Sequence, residues 1–180
     1  MEVLAGAGPD LLACETVPKL SEVELLTELL QPHGVKAWIS VGCKDGQHLY
    51  SGENLSEVVR LVDEHDVNRL VQAIGVNCTD PEHVTECIQV LSSAMASAST
   101  QRHIIVYPNR GENWDADSRE WIIGSGKSDA EFAALAKAWH SSGAVVIGGC
   151  CSTTPALIAA VRSSLEEDTS SSAKAKQDER

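Results

Sequence analysis

Short apolar runs alternate with stretches of helical periodicity from Leu11 to about Leu165. The runs are Leu11-Leu12-Ala13-Cys14, Ala37-Trp38-Ile39-Ser40-Val41, Val71-Gln72-Ala73-Ile74-Gly75-Val76, His103-Ile104-Ile105-Val106-Tyr107 and Ala144-Val145-Val146-Ile147. Brief, nearly continuous apolar segments bounded by turn residues predict strands of a parallel sheet buried on both faces. Between them, Ser21 to Leu30, Ser56 to His65, Pro81 to Met95 and Ser128 to His140 read as amphipathic helices, and Ala156 to Leu165 closes the series. Ser21 with Glu24 and Ser128 with Glu131 have capping-box spacing, and Thr154-Pro155 offers a cap followed by an N1 proline. Strand and helix in strict alternation predict an α/β fold with a helix-covered parallel sheet.

Such sheets carry their chemistry at the carboxyl ends of the strands. Cys14-Glu15, Cys43, Asn77-Cys78, Tyr107-Pro108-Asn109 and Cys150-Cys151 all fall there. The Cys150-Cys151 pair is the most telling, because neighbouring side chains on a regular strand point to opposite faces. Both thiols address one point only where the strand has ended, and Gly148-Gly149 predicts a turn there. Val71 to Cys78 repeats the pattern of apolar run, glycine and cysteine. Three thiols at the tips of two strands predict a soft-metal site with zinc as the favoured occupant. A vicinal Cys150–Cys151 disulfide is the competing reading. Cys87 lies in an apolar helix stripe and reads as core, as do Cys14, Cys43 and the Phe132, Leu135, Trp139 stripe. The six histidines lack ligand spacing, and Glu22, Glu24 and Glu28 read as a solvated helix face.

The longest connection, Pro108 to Ser128, reads as a loop covering the site. Its Glu112, Trp114 and Trp121, with Tyr107, suit a cationic partner. A formal net charge of -12 argues against nucleic acid and anionic lipid, leaving small molecules as the expected partners. No apolar run approaches the length of a membrane span and no leader pattern opens the chain, so the expected location is cytoplasmic. Reduced thiols fit that compartment. Residues 167–180 are polar and lack aromatic or branched apolar side chains, which predicts a disordered tail after a domain over 4–166.

Taken in order, Glu15-Thr16-Val17-Pro18, Gly75-Val76-Asn77-Cys78, Tyr107-Pro108-Asn109-Arg110-Gly111-Glu112 and Gly148-Gly149-Cys150-Cys151 resemble the zinc-dependent homocysteine S-methyltransferases. The resemblance runs from about Leu4 to Leu165 and implies a TIM-type (β/α) barrel. The five strands here correspond to its fourth through eighth, giving an incomplete barrel of about five βα units. It further implies Cys78, Cys150 and Cys151 as zinc ligands, with Glu15 and Asn77 at the substrate. The implied reaction is methyl transfer from a cationic donor, S-methylmethionine or S-adenosylmethionine, to the thiol of L-homocysteine, giving methionine. The family's early Asp-Gly-Gly segment has no counterpart, since Asp45-Gly46-Gln47 follows the second strand and reads as a turn. A truncated, non-catalytic zinc-binding or interaction piece is therefore the alternative expectation.

Overall fold

The computed structural model describes residues 1–178 except 100, 116 and 123, with 114, 121 and 168–178 described by their backbone alone. A short helix α1 (Glu2–Gly6) precedes β1 (Leu12–Val17), α2 (Leu20–Leu30) and a 3-10 turn (Gln31–His33). There follow β2 (Ala37–Val41), α3 (Ser56–His65), β3 (Val71–Asn77), α4 (Val84–Met95) and β4 (His103–Tyr107). A small hairpin of β5 (Trp114–Asp115) and β6 (Glu120–Trp121) leads to α5 (Asp129–Ser141), β7 (Ala144–Ile147) and α6 (Pro155–Asp178). The five long strands form one parallel sheet in the order β1-β2-β3-β4-β7. This open α/β sheet is the predicted incomplete barrel.

Alternation along the strands sorts the two faces. Ile39, Val41, Ile74, Val76, Ile104 and Val106 point to the helices and join a single core. They meet Val23 and Leu30 of α2, Val58 and Val62 of α3, Ile88 and Leu91 of α4, and Phe132 and Trp139 of α5. Phe132 and Trp139 pack edge to face with centroids 5.2 Å apart. Cys43 and Cys87 are buried in this core as expected. The opposite face is mixed in character: Glu15 is exposed, Trp38 and Tyr107 are half-buried, and Ser40 and Asn77 are buried. Exposed apolar surface gathers instead at the edge strand β7, where Val145 is 61% and Val146 48% exposed. The expectation of strands buried on both faces therefore fails at that edge.

At the amino end of β3 and β4 a buried polar knot fixes the sheet. Asp66 accepts the N–H groups of Leu70 and Val71 at 2.8 and 3.0 Å, and Arg102 bridges Asp66 and Asp63 at 3.2 Å each. Between those two strands the backbones come so close that a Cβ at Gly75 would lie 1.6 Å from the Ile105 carbonyl oxygen.

Three helix boundaries are instructive. The Ser128–Glu131 capping box forms as predicted, and Thr154 Oγ1 caps α6 by accepting the Leu157 N–H at 3.2 Å. The Ser21–Glu24 box does not form: α2 starts at Leu20, whose N–H is taken at 2.9 Å by Glu53 from the loop before α3. A distant carboxylate outcompetes the local cap. The last helix, α6, runs to Asp178. Positions 179 and 180 lie outside the described residues.

Candidate metal centre

All the candidate chemistry lies at the carboxyl end of the sheet. Strand β3 stops at Asn77, and Cys78 turns out of it with φ 51, a left-handed conformation uncommon for a residue with a side chain. After β7 the Gly148 to Thr154 segment lies along the extension of β4. The N–H groups of Gly148 and Cys150 donate to the carbonyls of Val106 and Pro108 at 2.9 and 2.8 Å, and the Cys151 carbonyl accepts from Arg110 at 2.9 Å. The sharp turn comes at Ser152, φ 62, rather than at the paired glycines. Gly149 is required for room, because a Cβ there would lie 2.5 Å from the Thr153 side chain.

These two turns bring three free thiols together. Cys78 Sγ lies 2.7 Å from Cys150 Sγ, and Cys150 Sγ lies 4.0 Å from Cys151 Sγ. All three sulfurs fall within 4.8 Å of one another. Tetrahedral coordination with metal–sulfur bonds of about 2.3 Å spaces sulfurs about 3.8 Å apart. The Cys150–Cys151 edge already has that length, and the Cys78–Cys150 edge must open by about 1 Å. Three half-buried thiols on two independently anchored turns therefore fit a soft divalent ion.

Without a cation the thiols stay protonated. Burial, reinforced by the neighbouring Cys150 sulfur, pushes the Cys78 thiol up to about 12, and burial followed by Cys150 raises Cys151. Crowded thiols resist ionisation because each thiolate would face another. A bound cation would reverse that balance, so metal uptake would release protons and tighten with rising pH.

The surrounding side chains hold this geometry. Asn109 bridges the two turns, its Nδ2 donating to the Cys78 carbonyl at 3.1 Å and its Oδ1 accepting the Cys151 N–H at 3.3 Å. The Tyr50 hydroxyl also donates to the Cys78 carbonyl. Asn77, expected to contact substrate, is 2% exposed, and its amide is taken up by Thr16. Glu15 is exposed on β1, near the Tyr107 hydroxyl. That hydroxyl accepts the Trp38 Nε1–H at 3.0 Å and bonds Ser40 Oγ. Burial raises the Tyr107 pKa, with the Glu15 charge adding to the effect.

Sequence reasoning overlooked Thr16, Tyr50, Trp38 and Ser40. Only Thr16 carried a signal, through its position at a strand end beside Glu15. The Pro108 to Ser128 connection holds the β5–β6 hairpin and is tied shut at its base by Arg110, which bonds the Lys127 carbonyl and Asp129, both at 2.8 Å. The side chains of Trp114 and Trp121 lie outside the described residues. Of the histidines, His65 does meet carboxylates, closing on Glu28 at 3.0 Å and Glu24 at 3.6 Å to join α2 and α3 on the helical surface.

Residues 1–165 match the family model described as homocysteine S-methyltransferase. The chain belongs to the homocysteine S-methyltransferase family. Homocysteine S-methyltransferase 2 of Zea mays is 39% identical over 150 residues, which cover 82% of this chain and 42% of the maize protein. The homocysteine methyltransferase MmuM from Escherichia coli, in an oxidized form, superposes with a TM-score of 0.72 at 38% identity, covering 90% of this chain and 48% of MmuM. A metallated form of MmuM superposes at 0.70 with 37% identity, covering 90% of this chain and 47% of that one. The chain thus spans about half the length, or slightly less, of these homocysteine S-methyltransferases.

Proposed function

We propose that this chain carries the metal-thiolate half of a homocysteine S-methyltransferase site, in which Cys78, Cys150 and Cys151 hold zinc and the homocysteine thiol becomes the methyl acceptor. The observation that carries this reading is the convergence of three thiols from two strand ends within 4.8 Å. A family relative known in a metallated form supports it. When bound, zinc would supply a Lewis acid that keeps the substrate sulfur ionised at neutral pH, where a free thiol of pKa about 8.5 is mostly protonated.

The chain's own groups then account for orientation. Glu15, exposed on β1 beside Tyr107, pairs with the substrate ammonium. Trp38 and Tyr107, with ring centroids 6.4 Å apart, give that face an aromatic wall compatible with a cationic methyl donor, S-methylmethionine or S-adenosylmethionine. The methyl carbon passes to the homocysteine sulfur as its bond to the donor's cationic centre breaks, giving methionine and the neutral demethylated donor. Among the described residues no helix is long and apolar enough to cross a membrane, and a cytoplasmic small-molecule enzyme fits that observation.

One observation favours a second reading. The open sheet and its exposed Val145 and Val146 leave part of a substrate wall to be supplied from elsewhere, which fits a zinc-binding piece that is inactive alone. Titration of the reduced, zinc-loaded chain with L-homocysteine, followed by assay of methionine formation from S-methylmethionine, separates the two. Binding is expected, and Glu15→Gln should weaken it by about 1.5–3 kcal/mol while zinc content stays unchanged. Loss of zinc in Glu15→Gln would instead make Glu15 a ligand or structural support. Homocysteine binding without turnover would favour the inactive piece, and absence of binding would overturn the acceptor assignment.

A further inference from the structure

Thr16 and Cys78 are both left-handed, at φ 54 and 51, and they stand at the ends of β1 and β3 with β2 between them. A β-branched residue at positive φ is a genuine conformational outlier, costing about 1–3 kcal/mol, and persists only where its surroundings over-determine it. Here the determinant is Asn77. Its Oδ1 accepts the Thr16 N–H at 2.8 Å, and its Nδ2 donates to Thr16 Oγ1 at 2.7 Å.

These two bonds settle the direction of a third. A backbone N–H can only donate, so the atom facing it must be Oδ1, and the other amide atom must be the donor Nδ2. With its oxygen already accepting from Nδ2, the Thr16 hydroxyl cannot direct its proton to Asn77. Among the described residues its acceptor is Cys78 Sγ, 3.8 Å away. Asn77 thus holds Thr16 in its strained backbone state and aims the hydroxyl proton at one of the three sulfurs.

We propose that Thr16 is a positioning residue that tempers the nucleophilicity of Cys78 by hydrogen bonding to its sulfur, leaving the substrate thiolate as the sulfur that takes the methyl group. The inference rests on the metal reading above. A site built from thiolates has a selectivity problem, because the ligands and the acceptor are chemically alike and an electrophilic methyl donor faces both. Hydrogen bonding from outside the coordination sphere withdraws electron density from a ligand and is an established way of tuning one. Cys78 has such a donor in Thr16, and an incoming substrate sulfur would have no share in it.

The test uses iodoacetamide on the reduced, zinc-loaded chain. The cysteine sulfur attacks the methylene carbon as the carbon–iodine bond breaks and iodide leaves, and peptide mass spectrometry follows modification of Cys78, Cys150 and Cys151 separately. Thr16→Val keeps the branched shape and removes the hydroxyl. Cys78 should then alkylate about two- to tenfold faster relative to Cys150, the range expected for loss of one ordinary hydrogen bond. Thr16→Ser should restore the wild-type ratio. Asn77→Asp is the sharper variant: its carboxylate can accept both the Thr16 N–H and the hydroxyl proton, turning the proton away from sulfur while keeping the clamp. It should behave like Thr16→Val. A zinc-loaded Thr16→Val or Asn77→Asp chain with the wild-type ratio, or a Thr16→Ser chain that fails to restore it, overturns the inference and leaves the metal reading intact. A wild-type chain that takes up no zinc overturns the metal reading, and this inference falls with it.

Discussion

Cys150→Ala is expected to abolish zinc binding by the reduced chain. Cys150 Sγ lies 2.7 Å from Cys78 Sγ and 4.0 Å from Cys151 Sγ, so its removal leaves two thiols where the cluster offers three ligands. Three-thiolate zinc sites draw their affinity from the charge and softness of the full set, with binding free energies on the order of 10 kcal/mol in comparable sites. Occupancy should therefore drop from about one ion per chain to about a tenth or less at micromolar metal, with Cys78→Ala and Cys151→Ala following closely. Cys14→Ala, within β1 and outside the cluster, is the control and should keep its zinc. Metal analysis after reduction and reconstitution decides the matter: full occupancy in Cys150→Ala would show that the three thiols are not one centre.

The largest effect on folding is expected at Gly75. A Cβ there would sit 1.6 Å from the Ile105 carbonyl oxygen, a backbone atom that no rotamer change can move. Either β3 and β4 separate, breaking their ladder, or the sheet does not form. Gly75→Ala should thus cost more than about 4 kcal/mol, the range reserved for severe core disruptions. Gly148→Ala is the comparison, since its Cβ would meet Tyr107 Cβ at an ordinary 3.5 Å, and about 1 kcal/mol or less is expected. Urea unfolding of the two variants distinguishes them. A Gly75→Ala chain as stable as Gly148→Ala would mean that the two strands are not so closely apposed.

Much of this architecture is legible in the sequence for a simple reason. Strands such as Ala37–Val41 and Val71–Asn77, flanked by paired neighbours in a parallel sheet, must be apolar nearly throughout, so their runs stand out and their ends locate the site. The cysteine cluster is legible because glycine followed by cysteine recurs at two such ends. What escaped was set by partners far along the chain. Glu53 caps α2 from beyond β2, and Asn77 engages Thr16 from 61 positions away along the chain. The place of Asn77 beside Cys78 suggests substrate, and the bonds of its amide to Thr16 become visible only when the ends of β1 and β3 are brought together. Likewise Trp38 and Ser40 read as strand filler until Tyr107, two strands away, is seen to bond both.

The buried Asp63, Asp66 and Arg102 knot and the three thiols occupy opposite ends of the same sheet. Strand β3 alone, Val71–Asn77, separates them by about 20 Å at roughly 3.3 Å per residue. That distance has an evolutionary consequence. Substitutions in the connections after β1, β2 and β4 can alter which molecule approaches the thiols without loosening the anchor at the far end, and changes at the anchor can retune stability without reshaping the approach. Access to the thiols and robustness of the sheet can therefore be altered independently, each with little effect on the other.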